Sequence, residues 1–176
     1  MKLDLSILEQ LDIDPHESRE PVYAMRVSDM LVMLKEDADR IIARSDRFFS
    51  TEDADVQADC IDIVSARLND YVQVFMDLVI YLRIKEGTYN GRSDSLRYCV
   101  SGYDSFFKEQ SPEEKQFLGN LILRNEITHD YFNREIHQQK LISMMQNDME
   151  GACDIYNHLY EYCYENGFLM EFVNKS

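Results

Sequence analysis

Residues 121–132 read Leu-Ile-Leu-Arg-Asn-Glu-Ile-Thr-His-Asp-Tyr-Phe and place Arg124, Asn125, His129 and Tyr131 within eight positions. Arginine offers a planar fork of donors that fits a phosphate or a pentacoordinate phosphorane. Histidine titrates near neutrality, so His129 can take or give a proton. Asn125 could orient that imidazole or bind a phosphate oxygen, and Tyr131 adds a phenol. These are the parts needed to cleave a phosphodiester without metal. Structural roles are open to the same residues. Arg124 could pair with Glu126, Asp130 or an acid on a neighbouring helix, His129 could cap a helix C-terminus, and Tyr131 could be an ordinary half-buried aromatic.

Helix geometry constrains how these side chains meet. At about 100° per residue, Arg124 and Tyr131 return within about 20° of each other, and Asn125 and His129 share a face. Arg124 and His129 lie about 140° apart on a straight helix. They converge only if the helix loosens near Thr128, or if a second subunit brings its own copy of the motif.

The elements that must position them are helical. Val27, Leu31, Leu34, Ala38, Ile41 and Phe48 form one stripe and predict a helix over about 26–49. Ile61, Val64, Leu68, Tyr71, Phe75, Leu78 and Leu82 alternate spacings of three and four, a heptad seam within a helix over about 52–86. Asp53 and Asp55 near its start and Arg83 and Lys85 near its end suit the helix dipole. Gly87 and Asn90-Gly91 mark a turn. A third helix is expected over about 93–109, with Leu96, Val100, Tyr103 and Phe107 inward. Ser111 caps a fourth, Pro112 suits its first turn, and Glu114 completes a capping-box spacing; this helix should run to about His129. A fifth is expected over about 134–166, lined by Met145, Met149, Ala152, Tyr156, Leu159 and Cys163 and stopped by Gly167. No strand-like alternation persists, so the expected fold is all-α, an antiparallel bundle of about five helices. Residues 1–25, with Pro15 and Pro21, read as an arm or a short leading helix before a helical domain over 26–176.

Composition bounds the rest. The chain has 176 residues, 45% hydrophobic and 29% charged, which suits one globular domain. No apolar run approaches about 18 residues and the N-terminus lacks a signal core, so the expectation is a cytoplasmic protein away from membranes. Cys60, Cys99, Cys153 and Cys163 fit no zinc spacing and read as reduced, buried thiols. Neither a metal nor a cofactor is expected. His16, His137 and His158 read as surface residues, and Met144, Met145 and Met149 as core or dimer packing. The net charge of −15 argues against a general nucleic-acid binder. It is unevenly spread: residues 1–60 hold 15 acids against 7 bases, a net of −8. Lys85, Arg92 and Arg97 fall in a locally basic stretch and are the candidates for contacting nucleic acid.

The fuller pattern Leu123-Arg124-Asn125-x-Ile127-x-His129-x-Tyr131, on a helix opened by Ser111-Pro112-Glu113-Glu114, resembles the HEPN superfamily, most closely its HepT-like branch. The resemblance is carried by residues 93–135 and in helix order by 27–165. It implies a homodimer that faces two motifs into one cleft. The implied reaction is metal-independent RNA cleavage, in which the 2′-hydroxyl attacks the adjacent phosphate and leaves a cyclic phosphate end. Arg124, Asn125 and His129 are the implied catalytic residues. It further implies the toxin of a toxin–antitoxin pair, neutralised when a nucleotidyltransferase antitoxin adenylylates Tyr131. The same superfamily includes noncatalytic nucleotide- or partner-binding subunits that accompany nucleotidyltransferases. The acidic charge and the additional N-terminal segment motivate that second reading.

Overall fold

The computed structural model of the chain describes residues 19–89, 95–127 and 134–169, with side chains described over 26–89, 95–123 and 135–169. Among the described residues six helices follow one another: α1 (Arg19–Ser50), α2 (Ala54–Lys85), α3 (Leu96–Phe106), α4 (Pro112–Ile127), α5 (Arg134–Asn147) and α6 (Glu150–Glu165). The described residues contain no strand, and the architecture is the all-α bundle that the periodicity predicts. No described helix is long and apolar enough to cross a membrane.

Helices α1 and α2 form a long antiparallel hairpin. The stripe from Val27 to Phe48 is buried along its whole length, as is the α2 seam from Val64 to Leu82; Ile61 is only partly covered. The corner between them is built from side chains that satisfy helix ends. Asp53 caps α2 by accepting from Asp55 N at 2.9 Å and Val56 N at 3.3 Å. Gln57 donates to the carbonyls of Phe48 and Thr51 at 3.3 and 3.0 Å, which ties α2 back to the end of α1. At the far end Gly87, with φ of 70°, turns the chain out of α2 in a left-handed conformation that favours glycine.

The remaining helices pack across this hairpin. Tyr71 on α2 is fully buried and donates its hydroxyl proton to the Ala152 carbonyl on α6 at 2.9 Å; Tyr162, further along α6, donates to Glu86 just past the end of α2. The two helices therefore run parallel. Helix α4 runs against both. Its Phe117 meets the Tyr71 ring edge-on at 5.6 Å, and Ser111 before its start donates to Asp154 at 3.0 Å. The closest approach is at Gly151, where an added Cβ would sit 2.5 Å from the Glu113 carbonyl oxygen and 2.7 Å from the Phe117 Cβ.

Two boundaries differ from the sequence reading. Helix α1 begins at Arg19, so the division at residue 25 falls within it; Pro21 lies in its first turn, where a missing N–H costs nothing. The rest of the expected N-terminal arm lies outside the described residues. The single helix expected over 134–166 is two helices, broken after Asn147. Asp148, almost fully buried, donates its backbone N–H to the Met144 carbonyl of α5, while its carboxylate accepts side-chain bonds from Gln116 and Asn120 of α4, both at 2.5 Å. The joint is thereby pinned to α4. The apolar spacing passes through it undisturbed, because Met144, Met145, Met149 and Ala152 are all buried on the same interior.

Candidate functional site

The arginine–histidine motif falls at the α4–α5 junction. The backbone of Arg124 and Asn125 lies in the last turn of α4. Their side chains, and all of His129 and Tyr131, lie outside the described residues, as does Arg92. The approach to the motif is described on both sides. Phe117, Leu118 and Leu121 anchor α4 in the core, whereas Leu123 is 48% exposed immediately before Arg124. Ile136, two residues into α5, is 45% exposed. Apolar side chains thus border the motif segment on each side in sequence.

The basic candidates stand elsewhere. Lys85 is exposed in the last turn of α2, its ammonium 5.7 Å from the centre of the Tyr81 ring. Arg97 is exposed in the first turn of α3. Arg83, whose guanidinium lies 4.2 Å over Tyr98 and donates to the Tyr98 and Thr88 carbonyls, holds these two helix ends together. From the level at which Tyr71 meets Phe117, Lys85 lies roughly 20 Å toward one end of the bundle, and Arg124 roughly 10 Å toward the other. The fold therefore gathers Lys85 with Arg97 and separates both from the motif helix end.

The structure also assembles a polar cluster that the sequence reading did not anticipate. Glu114, fully buried in the first turn of α4, is the expected capping-box carboxylate: Ser111 N donates to it at 2.8 Å, and Glu114 N donates to Ser111 Oγ at 3.0 Å. The same carboxylate accepts from the Tyr103 hydroxyl at 2.5 Å and from His158 Nδ1 at 2.8 Å. The His158 ring stacks on Phe107 at 5.5 Å with an angle of 9° between planes. His158 is thus not the surface residue the sequence suggested, since only 33% of its side chain is exposed. With the carboxylate ionised and therefore acceptor-only, Nδ1 is the nitrogen that carries the proton in this pair. Burial, then the bond to Glu114, push the Tyr103 phenol far above its usual range, which keeps it a neutral donor. One carboxylate oxygen of Glu114 thus closes the cap of α4, while the other binds Tyr103 of α3 and His158 of α6. The cluster locks α3, α4 and α6 together and thereby fixes the base of the helix that carries Arg124. Only the Ser111–Glu114 spacing was legible, because Glu114 and His158 are 44 residues apart.

Three of the four cysteines are buried as expected. Cys60, Cys99 and Cys163 are free and buried, Cys153 is free and partly buried, and burial raises the Cys163 thiol to about 12. Among the described residues no group of histidine, cysteine and carboxylate side chains could hold a metal ion. Comparison with family models, curated proteins and solved structures matches no family, no protein and no structure.

Proposed function

We propose that the chain is a HEPN-type endoribonuclease, the toxin of a toxin–antitoxin pair, acting in the cytoplasm as a homodimer and needing neither metal nor cofactor. The observation that carries this reading is the sequence run from Arg124 to Tyr131, whose first residues, 124–127, form the last turn of one helix of an all-α bundle. The exposed Leu123 and Ile136 on its flanks support the dimer, because they offer apolar area beside the motif for a second copy. In the reaction, His129 of one copy takes the proton from an RNA 2′-hydroxyl. The freed oxygen attacks the adjacent phosphorus, the 5′-oxygen leaves, and the second copy's His129 returns a proton to it. The products are a 2′,3′-cyclic phosphate and a 5′-hydroxyl. Arg124 neutralises the charge that builds on the phosphorane oxygens, and Asn125 orients the imidazole. Lys85, Arg92 and Arg97 are assigned to RNA beyond the cleaved bond. Tyr131 is the acceptor for adenylate from a nucleotidyltransferase antitoxin; its phosphate would occupy the place of the RNA phosphate.

The net charge of −15 favours a second reading, a noncatalytic HEPN nucleotide- or partner-binding subunit accompanying a nucleotidyltransferase. Induced expression separates the two. The first predicts growth arrest that His129→Ala relieves, and adenylate mapped by mass spectrometry to Tyr131 after co-expression with the antitoxin. Harmless wild-type expression supports the second.

A further inference from the structure

Helix α6 presents an aromatic ladder to solvent. Tyr156, Tyr160 and Tyr164 recur every four residues, so they rise along one side of the helix. Their ring centres are 6.0 and 6.5 Å apart. Tyr156 is partly covered, whereas Tyr160 is 43% exposed and Tyr164 60%. The core is met instead by Ile155, Leu159 and Cys163. Helix α1 extends the patch. Its Lys35 and Asp39 lie close enough to Tyr156 to act on it electrostatically. Because α1 runs antiparallel to α2 and α2 parallel to α6, one turn onward along α6 is one turn back along α1. Val32, 57% exposed, thus comes level with Tyr160.

The charge around the ladder is negative. Helix α6 holds Glu150, Asp154, Glu161 and Glu165 and no lysine or arginine. Asp154 accepts from Ser111, but Glu161 and Glu165 are exposed and form the ridge beside the tyrosines, with Glu161 one turn before Tyr164. Lys35, at the Tyr156 end, is balanced by Asp39 at 2.5 Å. A phosphate backbone would be repelled here, and a second copy would set the same glutamates against each other. A cation is attracted twice, by the ring faces and by the carboxylates beside them. The chain makes the first of these contacts itself, where Arg83 lies 4.2 Å over the Tyr98 ring. Arginine suits both groups, since its plane stacks on a ring while its fork of donors reaches a carboxylate. The spacing selects the form of the partner. Alternate side chains of an extended chain repeat at roughly 6.7 Å, close to the 6.0 and 6.5 Å of the ladder.

We propose that the ladder of Tyr156, Tyr160 and Tyr164 docks an extended, arginine-bearing segment of a partner protein, with alternate arginines on successive rings and their donors on Glu161 and Glu165. The probe is the peptide Arg-Thr-Arg-Thr-Arg, titrated into full-length protein with isotope-labelled tyrosine rings. The resonances of Tyr160 and Tyr164 should shift, and those of the buried Tyr71 and Tyr103 should stay in place. Tyr160→Ser/Tyr164→Ser keeps the charge and the core and should weaken binding at least about tenfold. Glu161→Gln/Glu165→Gln should weaken it too and flatten its dependence on salt. Unmoved Tyr160 and Tyr164 resonances overturn the proposal. So does equal binding by wild type and the serine variant, which leaves only general attraction to an acidic protein. A shift of the same two resonances on adding oligouridine, or on concentrating the protein alone, overturns it as well, by assigning the ladder to RNA or to a second copy.

Discussion

Glu114 is the residue on which most polar partners converge. It accepts from Ser111 N, Tyr103 and His158 while fully buried. Removing an acceptor of this kind strands buried donors, which costs more than the bonds gained by making them. Glu114→Ala should therefore destabilise the protein by about 3 kcal/mol, and Glu114→Gln by less, because an amide oxygen still accepts from one donor. Urea titration measures both; an alanine variant within about 0.5 kcal/mol of wild type contradicts the lock. Asp148 makes a prediction in pH. Burial raises its carboxyl above 3.8, against the lowering effect of bonds from Asn120 and Gln116. The folded state then holds the proton more tightly than the unfolded state does. The stability Asp148 contributes by titrating is fully present below the unfolded value and is lost as pH rises through the higher folded value. Asp148→Asn removes this titration, so its stability relative to wild type should fall as the pH drops from 7 toward 4. Parallel pH profiles for the two proteins contradict this assignment. Neither residue's role was legible in full, because the partners of each lie on other helices, out of reach of any local spacing rule.

At the scale of elements, local patterns were read correctly where they were self-contained. The stripe on α1, the seam on α2 and the Ser111–Glu114 box each depend on residues within a few turns of one another. The break between α5 and α6 was hidden, because the apolar spacing from Met145 to Ala152 continues through it. Its only local signs are the poor helix formers Asn147 and Asp148 and the nearby Gly151. Gly151 is there for a reason that only the packing reveals. A side chain would meet the Glu113 carbonyl at 2.5 Å, backbone against which nothing can rotate away. Gly151→Ala should force α4 and α6 apart and cost about 2 kcal/mol, despite alanine's better helix propensity. A thermal melt decides the sign: an unchanged or raised Tm would show that the two helices can separate freely.

At the scale of the whole molecule, α4 links the parts. Its first turn is bound into the Glu114 cluster, its middle is buried against Tyr71 and α6, and its last turn carries Arg124 and Asn125. An anchored helix suits the dimer proposed above, in which two copies of the motif would face each other, since the anchor fixes where the pair can meet. The motif was legible as a string of residue types, whereas the placement of its chemical groups lies outside the described residues. Lys85 and Arg97, close to the motif in charge alone, stand toward the opposite end of the bundle. The proposed activity is therefore tested at His129 itself. Purified wild-type protein, freed of any antitoxin and held in excess chelator, should cleave RNA to 2′,3′-cyclic phosphate ends. His129→Ala, folded to the same extent by circular dichroism, should lose at least about 100-fold in rate, the loss expected when a general acid–base is removed. Chelator-resistant cleavage that is equal in the two proteins, or no cleavage by wild type, would contradict the ribonuclease reading.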